Sequence, residues 1–198
     1  MSIFNVIKEV LEERNWKYHA IGNEIVMFDL NIVKPIRTLK YVLILEEDCY
    51  TVLAGIPVDV DIEDKEQKFS MMEFLNRASY GMKKGNFEFD TQDGEVRFKI
   101  HVDCSEIEPS KKMVVNSIDV PAKMLSLYGK GIIGIILGGF SAEEAFEQTE
   151  GKLEIERQRM MEEKTEENEV LSESLDSIYE EFPEWDAYRE THVGEGVI

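Results

Sequence analysis

The chain has 198 residues, 43% of them apolar and 32% charged, and its 41 acidic against 22 basic side chains give a formal charge of −19. That length suits one domain with a real core plus an appendage, under a surface that faces water. The charge argues against a nucleic-acid backbone as partner, because phosphate binding needs clustered Lys and Arg, and it favours basic or neutral partners instead. In chain order, Ser2 can cap a helix over residues 2–14 whose Ile3, Phe4, Ile7, Val10 and Leu11 recur at helical spacing. Trp16-Lys17-Tyr18, a Gly22-Asn23 turn and Ile25 to Leu30 predict a hairpin. Tyr41 to Leu45, an acidic turn at Glu46-Glu47-Asp48, and Tyr50 to Ala54 predict a second.

A helix is expected from about Asp64 to Tyr80, with Phe69, Met72, Phe74 and Leu75 as its apolar face and Gly81 and Gly85 bracketing its end. Phe87 and Phe89, an Asp93-Gly94 turn, and Val96, Phe98, Ile100 and Val102 then alternate with polar residues, the pattern of a hairpin with one face buried. Ser110 to Leu137 reads as helical, with an interruption expected at Pro121. The order α-ββββ-α-ββ-α groups strands with strands, so the expected class is α+β: an antiparallel sheet with helices packed on one face.

Met1 to Glu9 shows no basic stretch ahead of its apolar residues and no small-residue cleavage site, so it does not read as a signal peptide. The longest nearly apolar run, Gly131 to Phe140, has about half of the roughly 20 residues that a membrane span needs. Cys49 and Cys104 lie in no zinc-type spacing and read as reduced thiols, so no membrane and a cytoplasmic location are expected.

Charge divides the chain. From Glu143 onward there are 19 acidic and 5 basic residues, whereas residues 1–142 hold 22 and 17. This places a boundary after Gly138-Gly139, with an α+β domain over 1–140 and an acidic, mostly helical C-terminal extension over 141–198.

Trp16-Lys17-Tyr18, Ala54-Gly55-Ile56-Pro57-Val58, Phe74-Leu75-Asn76, Gly85-Asn86-Phe87-Glu88-Phe89-Asp90 and Asp93-Gly94-Glu95-Val96-Arg97-Phe98 together resemble the bacterial YbjN family. Gly138-Gly139-Phe140-Ser141-Ala142-Glu143-Glu144-Ala145 is similar to that family's closing element, and the resemblance covers residues 2–148. Members carry the designation sensory transduction regulator. Their fold is similar to that of type III secretion chaperones, small dimeric proteins that hold an extended protein segment. The resemblance implies an uncovered sheet face and edge open to a partner chain or a second copy, with a homodimer as the simpler outcome, and no catalytic residues.

Each pattern with chemical potential has a plainer explanation. Gly129-Lys130-Gly131-Ile132-Ile133-Gly134 fits GxGxxG, but a helical stretch precedes it where a dinucleotide site needs a strand, so close helix packing is the expectation. Asp59 to Asp64 opens like a calcium loop, yet Asp64 stands where the turn glycine belongs and Ser70 where the bidentate Glu belongs. His19, His101 and His192 lie in no metal or catalytic context, and Cys49 and Cys104 fit burial as small apolar side chains. A thiol paired with His101 is the enzymatic alternative. No cofactor and no metal are expected.

Ser141-Ala142-Glu143-Glu144 is a capping box that starts a helix running toward Glu163. Further on, Leu171, Leu175, Ile178, Phe182 and Trp185 follow a 4-3-4-3 spacing flanked by Tyr179 and Tyr188, an acidic helix with one apolar stripe. The stripe either docks on its own domain or a dimer mate, or serves as a recognition element for a partner groove. The expected function is that of a non-catalytic protein-binding module, chaperone-like or regulatory. The alternatives are an acidic mimic of nucleic acid that occupies a basic protein, and an enzyme of unknown class.

Overall fold

The structure, a computed structural model, describes residues 2–150 except Val33 and Gly81. The chain divides into two units, Met1–Gly151 and Lys152–Ile198, and every described residue lies in the first. The elements run α1 (Ile3–Glu13), β1 (His19–Ile21), β2 (Ile25–Asn31), β3 (Thr38–Leu45), β4 (Cys49–Gly55), α2 (Lys65–Ser79), β5 (Asn86–Phe89), β6 (Val96–Asp103) and α3 (Lys111–Gly138). The fold is α+β in the expected order. The strands pair antiparallel in the spatial order β1-β2-β3-β4-β6-β5.

Alternation along the strands separates the two faces. Val26, Phe28, Leu39, Tyr41, Leu43, Leu45, Tyr50, Val52, Ala54, Val96, Phe98 and Ile100 are buried, and with the apolar sides of the three helices they form one core. Ser2 caps α1 by accepting from the Asn5 N–H, and Asp64 caps α2 by accepting from Glu66 and Gln67. Lys111 at the start of α3 reaches Glu9 and Glu13 of α1 at 3.0 and 2.6 Å, and Arg14 pairs with Asp119 at 3.0 Å, tying the two helices together.

The structure corrects three expectations. The first strand begins at His19, not at Trp16: Asn15 turns the chain at a positive φ of 55°, and the Trp16 ring stacks on Phe28 at 5.7 Å, holding residues 16–18 off the ladder. On α2 the buried residues are Met71, Phe74, Leu75 and Ala78, so Phe69 and Met72 stand on the opposite, wet side. Helix α3 passes through Pro121 unbroken. The phenol of Tyr41, from β3, donates to the Ile118 carbonyl at 2.8 Å and sits against the Ala122 N–H, so it bridges the backbone ladder beside the proline. Ser117, whose carbonyl the missing proline N–H would have served, turns its hydroxyl onto Val114 O at 2.8 Å and meets Tyr50 Oη at 3.1 Å.

Because it is continuous, α3 is long and apolar enough to cross a membrane, by length and composition alone, which the shorter apolar run did not suggest. Here it lies in the core with Val114, Ile118, Leu125, Ile132 and Ile135 buried. Its glycines are packing notches. A Cβ at Gly129 would meet Ile36 Cδ1 at 2.9 Å, one at Gly131 would overlap the Phe74 ring, and one at Gly134 would overlap Phe140. The GxGxxG match is therefore filled by neighbouring side chains within a helix.

The capping box forms as its sequence predicts: Ser141 Oγ accepts from the Glu144 N–H at 3.2 Å, and Glu144 Oε2 accepts from the Ser141 N–H at 2.9 Å. Residues 142–150 are helical, and Ala142 and Ala145 enter the same core. The tail stripe of Leu171, Leu175, Ile178, Tyr179, Phe182 and Trp185 lies outside the described residues, as does His192.

Candidate protein-binding face

The strand register sets out the open face of the sheet in rows. One row runs Ile21, Ile25, Ile44, Thr51, His101, and the next His19, Met27, Val42, Leu53, Lys99, Asn86. Ile25, Met27, Val42 and Leu53 are half-buried, while Ile21 and Ile44 are exposed. Six apolar side chains thus share the outer surface of β1 to β4.

The third row is ionic: Asp29, Lys40, Gly55, Arg97, Glu88. Glu88 accepts from Arg97 at 2.8 Å and from Lys99 at 3.1 Å, and Arg97 also reaches Glu95 at 3.1 Å. Partial burial works to raise the Glu88 carboxyl, but the hydrogen bonds and charges of Arg97 and Lys99 outweigh it and hold the group below the usual carboxylate range. The open face is therefore apolar toward β1 and β2 and charged toward β5.

A groove of about 760 Å³ borders the apolar side, lined by Asn15 to His19 and by Met27 to Asn31. The groove exists because residues 16–18 diverge from β2. The Ile32 N–H donates to Arg37 O and the Leu45 N–H to Glu24 O, both at 2.7 Å, which directs the backbone groups of even-numbered β2 residues to β3 and of odd-numbered ones to the β1 side. β1 covers β2 only as far as the His19–Met27 pair. Among the described residues no backbone partner takes the N–H and C=O of Asp29 and Asn31 on that side. The result is a short stretch of open strand edge. Its aromatic wall is fixed, since Arg14 lies over the Trp16 ring at 4.9 Å and Phe28 stacks on Tyr41 at 4.8 Å.

The other sequence candidates fall elsewhere. The His101 ring shares a 3.1 Å hydrogen bond with Thr51 on the open face, while Cys104 is buried on the helix side and Cys49 is half-buried at the start of β4. Burial raises both thiols, with Asp103 and Asp48 adding to the effect at Cys104 and Glu46 and Asp48 at Cys49, the opposite of what a nucleophilic thiolate needs. In the Asp59–Asp64 stretch, Asp61 accepts from the Glu63 N–H and Asp64 caps α2, so these carboxylates shape a turn and a helix start. Among the described residues, no three or more His, Cys, Asp or Glu side chains converge in a way that could hold a metal ion. Sequence reasoning missed the edge groove, because it arises from the place where residues 16–18 leave the sheet. The only local sign was Asn15, a residue type that tolerates positive φ.

No family model matches the sequence, and no curated protein matches it. Among solved structures the chain is similar to a crystal structure described as that of YbjN, a putative transcription regulator from E. coli. The TM-score is 0.46 at 8% identity, over 68% of this chain and 88% of that one.

Proposed function

We propose that the chain is a non-catalytic protein-binding module, chaperone-like or regulatory, that works in the cytoplasm and holds an extended peptide of a partner protein against the β2 edge and the apolar open face. The observation that carries this reading is the unpaired edge at Asp29 and Asn31 beside six outward apolar side chains. Main-chain pairing at an edge supplies affinity without demanding a sequence, and alternate side chains of an added strand meet the adjoining face. The peptide lies in the groove between Trp16-Lys17-Tyr18 and β2, with its outward residues continuing the row of Asp29, next to the apolar row of Met27. A second copy of the chain is the competing occupant of the same edge.

The test is selection of displayed random peptides on the full-length chain, followed by amide hydrogen exchange on the complex. Selected peptides should slow exchange at Asp29 and Asn31, and Ile44→Glu should weaken them about tenfold or more, about 1.4 kcal/mol. Failure to enrich any peptide, or binding that leaves both amides and the Ile44→Glu affinity unchanged, would refute the reading. Protection that grows with protein concentration in the absence of peptide would assign the edge to self-association.

A further inference from the structure

We propose that the outward side of α2 is a second docking surface, one that accepts an acidic amphipathic helix from another protein. Phe69, Met72 and Asn76 follow one another at spacings of three and four residues on the side of the helix opposite Met71, Phe74, Leu75 and Ala78, and Tyr80, the C-cap residue, comes four residues further on. Phe69 is 64% exposed, Met72 41% and Tyr80 92%. A solvated helix face is ordinarily polar, and α1 shows that pattern with Glu9, Glu12 and Glu13. The wet side of α2 instead carries an aromatic ring and a thioether, with a second ring at the C-cap, the anchor spacing by which one helix receives another.

Charge selects the occupant. Between Lys65 and Lys84 there are five basic and two acidic residues, a positive island on a chain of charge −19. Arg77 pairs with Glu73, and Lys68 donates to Thr91 O at 3.0 Å. Among the described residues Lys65, Lys83 and Lys84 have no carboxylate within ion-pair distance, and all three are exposed. They bracket the aromatic line at its two ends, so an apolar stripe with flanking carboxylates meets complementary charge at both. An anionic bilayer also offers negative charge and apolar depth, but Glu66 and Glu73 lie on the exposed half of the helix, where a helix lying on such a surface carries Lys and Arg.

The probe is a fluorescein-labelled peptide with the sequence of residues 168–188, which carries seven acidic and no basic residues around Leu171, Leu175, Ile178, Phe182 and Trp185. It is titrated by anisotropy against the full-length chain and against a full-length variant with Leu175→Glu and Phe182→Glu, which removes competition from the identical sequence. Binding to the variant alone would make the chain's own residues 168–188 the occupant and overturn the proposal; saturable binding is expected on both proteins. It should fall tenfold or more with Phe69→Glu and with Lys83→Glu/Lys84→Glu, and weaken as salt rises from about 0.05 to about 0.5 M. Phe69 is exposed enough that its variant should keep the parent's thermal melt, which separates lost docking from lost folding. The proposal is overturned if neither protein binds the peptide, if binding is indifferent to both sets of substitutions, or if phosphatidylserine vesicles bind through these residues and the peptide does not.

Discussion

Tyr41 and Val42 are neighbours in β3 and belong to different environments. Tyr41 is fully buried, stacked on Phe28, and hydrogen-bonded to a helix that starts 70 residues later; Val42 lies half-buried between Met27 and Leu53. The same contrast holds for β4 and β6, where Tyr50 and Phe98 face the helices while Thr51 and Lys99 face outward. One face of the sheet carries the core, and among the described residues the core does not extend over the other. That division predicts that truncating a large apolar side chain to alanine has very different consequences on the two faces.

The largest effect is expected from Phe98→Ala. Phe98 is fully buried and meets the edge of Phe87 at 5.0 Å between ring centroids, so its removal leaves a cavity and should cost about 3–5 kcal/mol. Ile44→Ala, at a position 39% exposed, should stay within about 1 kcal/mol. Denaturant titrations of the two variants settle this, and equal losses would mean that the outer face is as structural as the inner one.

The buried phenols sharpen the comparison next. Burial pushes Tyr50 up to about 12, opposed by the Ser117 hydroxyl and aided by Cys104. Burial likewise raises Tyr41, with Asp119 adding to it and the Ala122 N–H opposing. An unfolded tyrosine ionises near pH 10, so the unfolded chain releases these protons first and gains on the folded one as pH rises. The stability the two phenols contribute is whole below about pH 10 and is lost as pH climbs toward the folded value. Thermal melts at about pH 9 and about pH 11 should show that loss, and Tyr41→Phe should reduce it. At neutral pH, Tyr41→Phe should cost about 1–3 kcal/mol, because the Ile118 carbonyl beside Pro121 loses its buried donor.

These features differ in how far the sequence displays them. The β5–β6 hairpin is plain, because Val96, Phe98 and Ile100 alternate with Arg97, Lys99 and His101 and only one register buries the apolar set. The faces of α2 are not. Phe69, Met72 and Tyr80 and the set Met71, Phe74, Leu75 and Ala78 both satisfy helical spacing, and the choice between them is made by what β5 and α3 present to the helix. The unbroken path of α3 was hidden for the same reason, since the group that bridges the ladder beside Pro121 comes from Tyr41 in β3. The edge groove depends on Trp16 finding Phe28, a contact between side chains that no periodicity reports.

The smallest expected effect tests the charged end of the open face. Glu88 is held below the usual carboxylate range by Arg97 and Lys99, so on acidification the unfolded chain takes up a proton at this residue before the folded one does. The contribution is therefore complete above the ordinary Glu range and disappears as pH falls through the lower folded value. The group is partly exposed, and solvent screens the interaction to under about 1 kcal/mol. Carbon-detected NMR should place the Glu88 midpoint below that of a glutamate in the unfolded chain, and Glu88→Gln should lose slightly less stability than the parent between neutral and acidic pH. An ordinary midpoint at Glu88 would mean that Arg97 and Lys99 are free to meet a carboxylate from a partner instead. In that case the ionic row would belong with the binding surface and not with the fold.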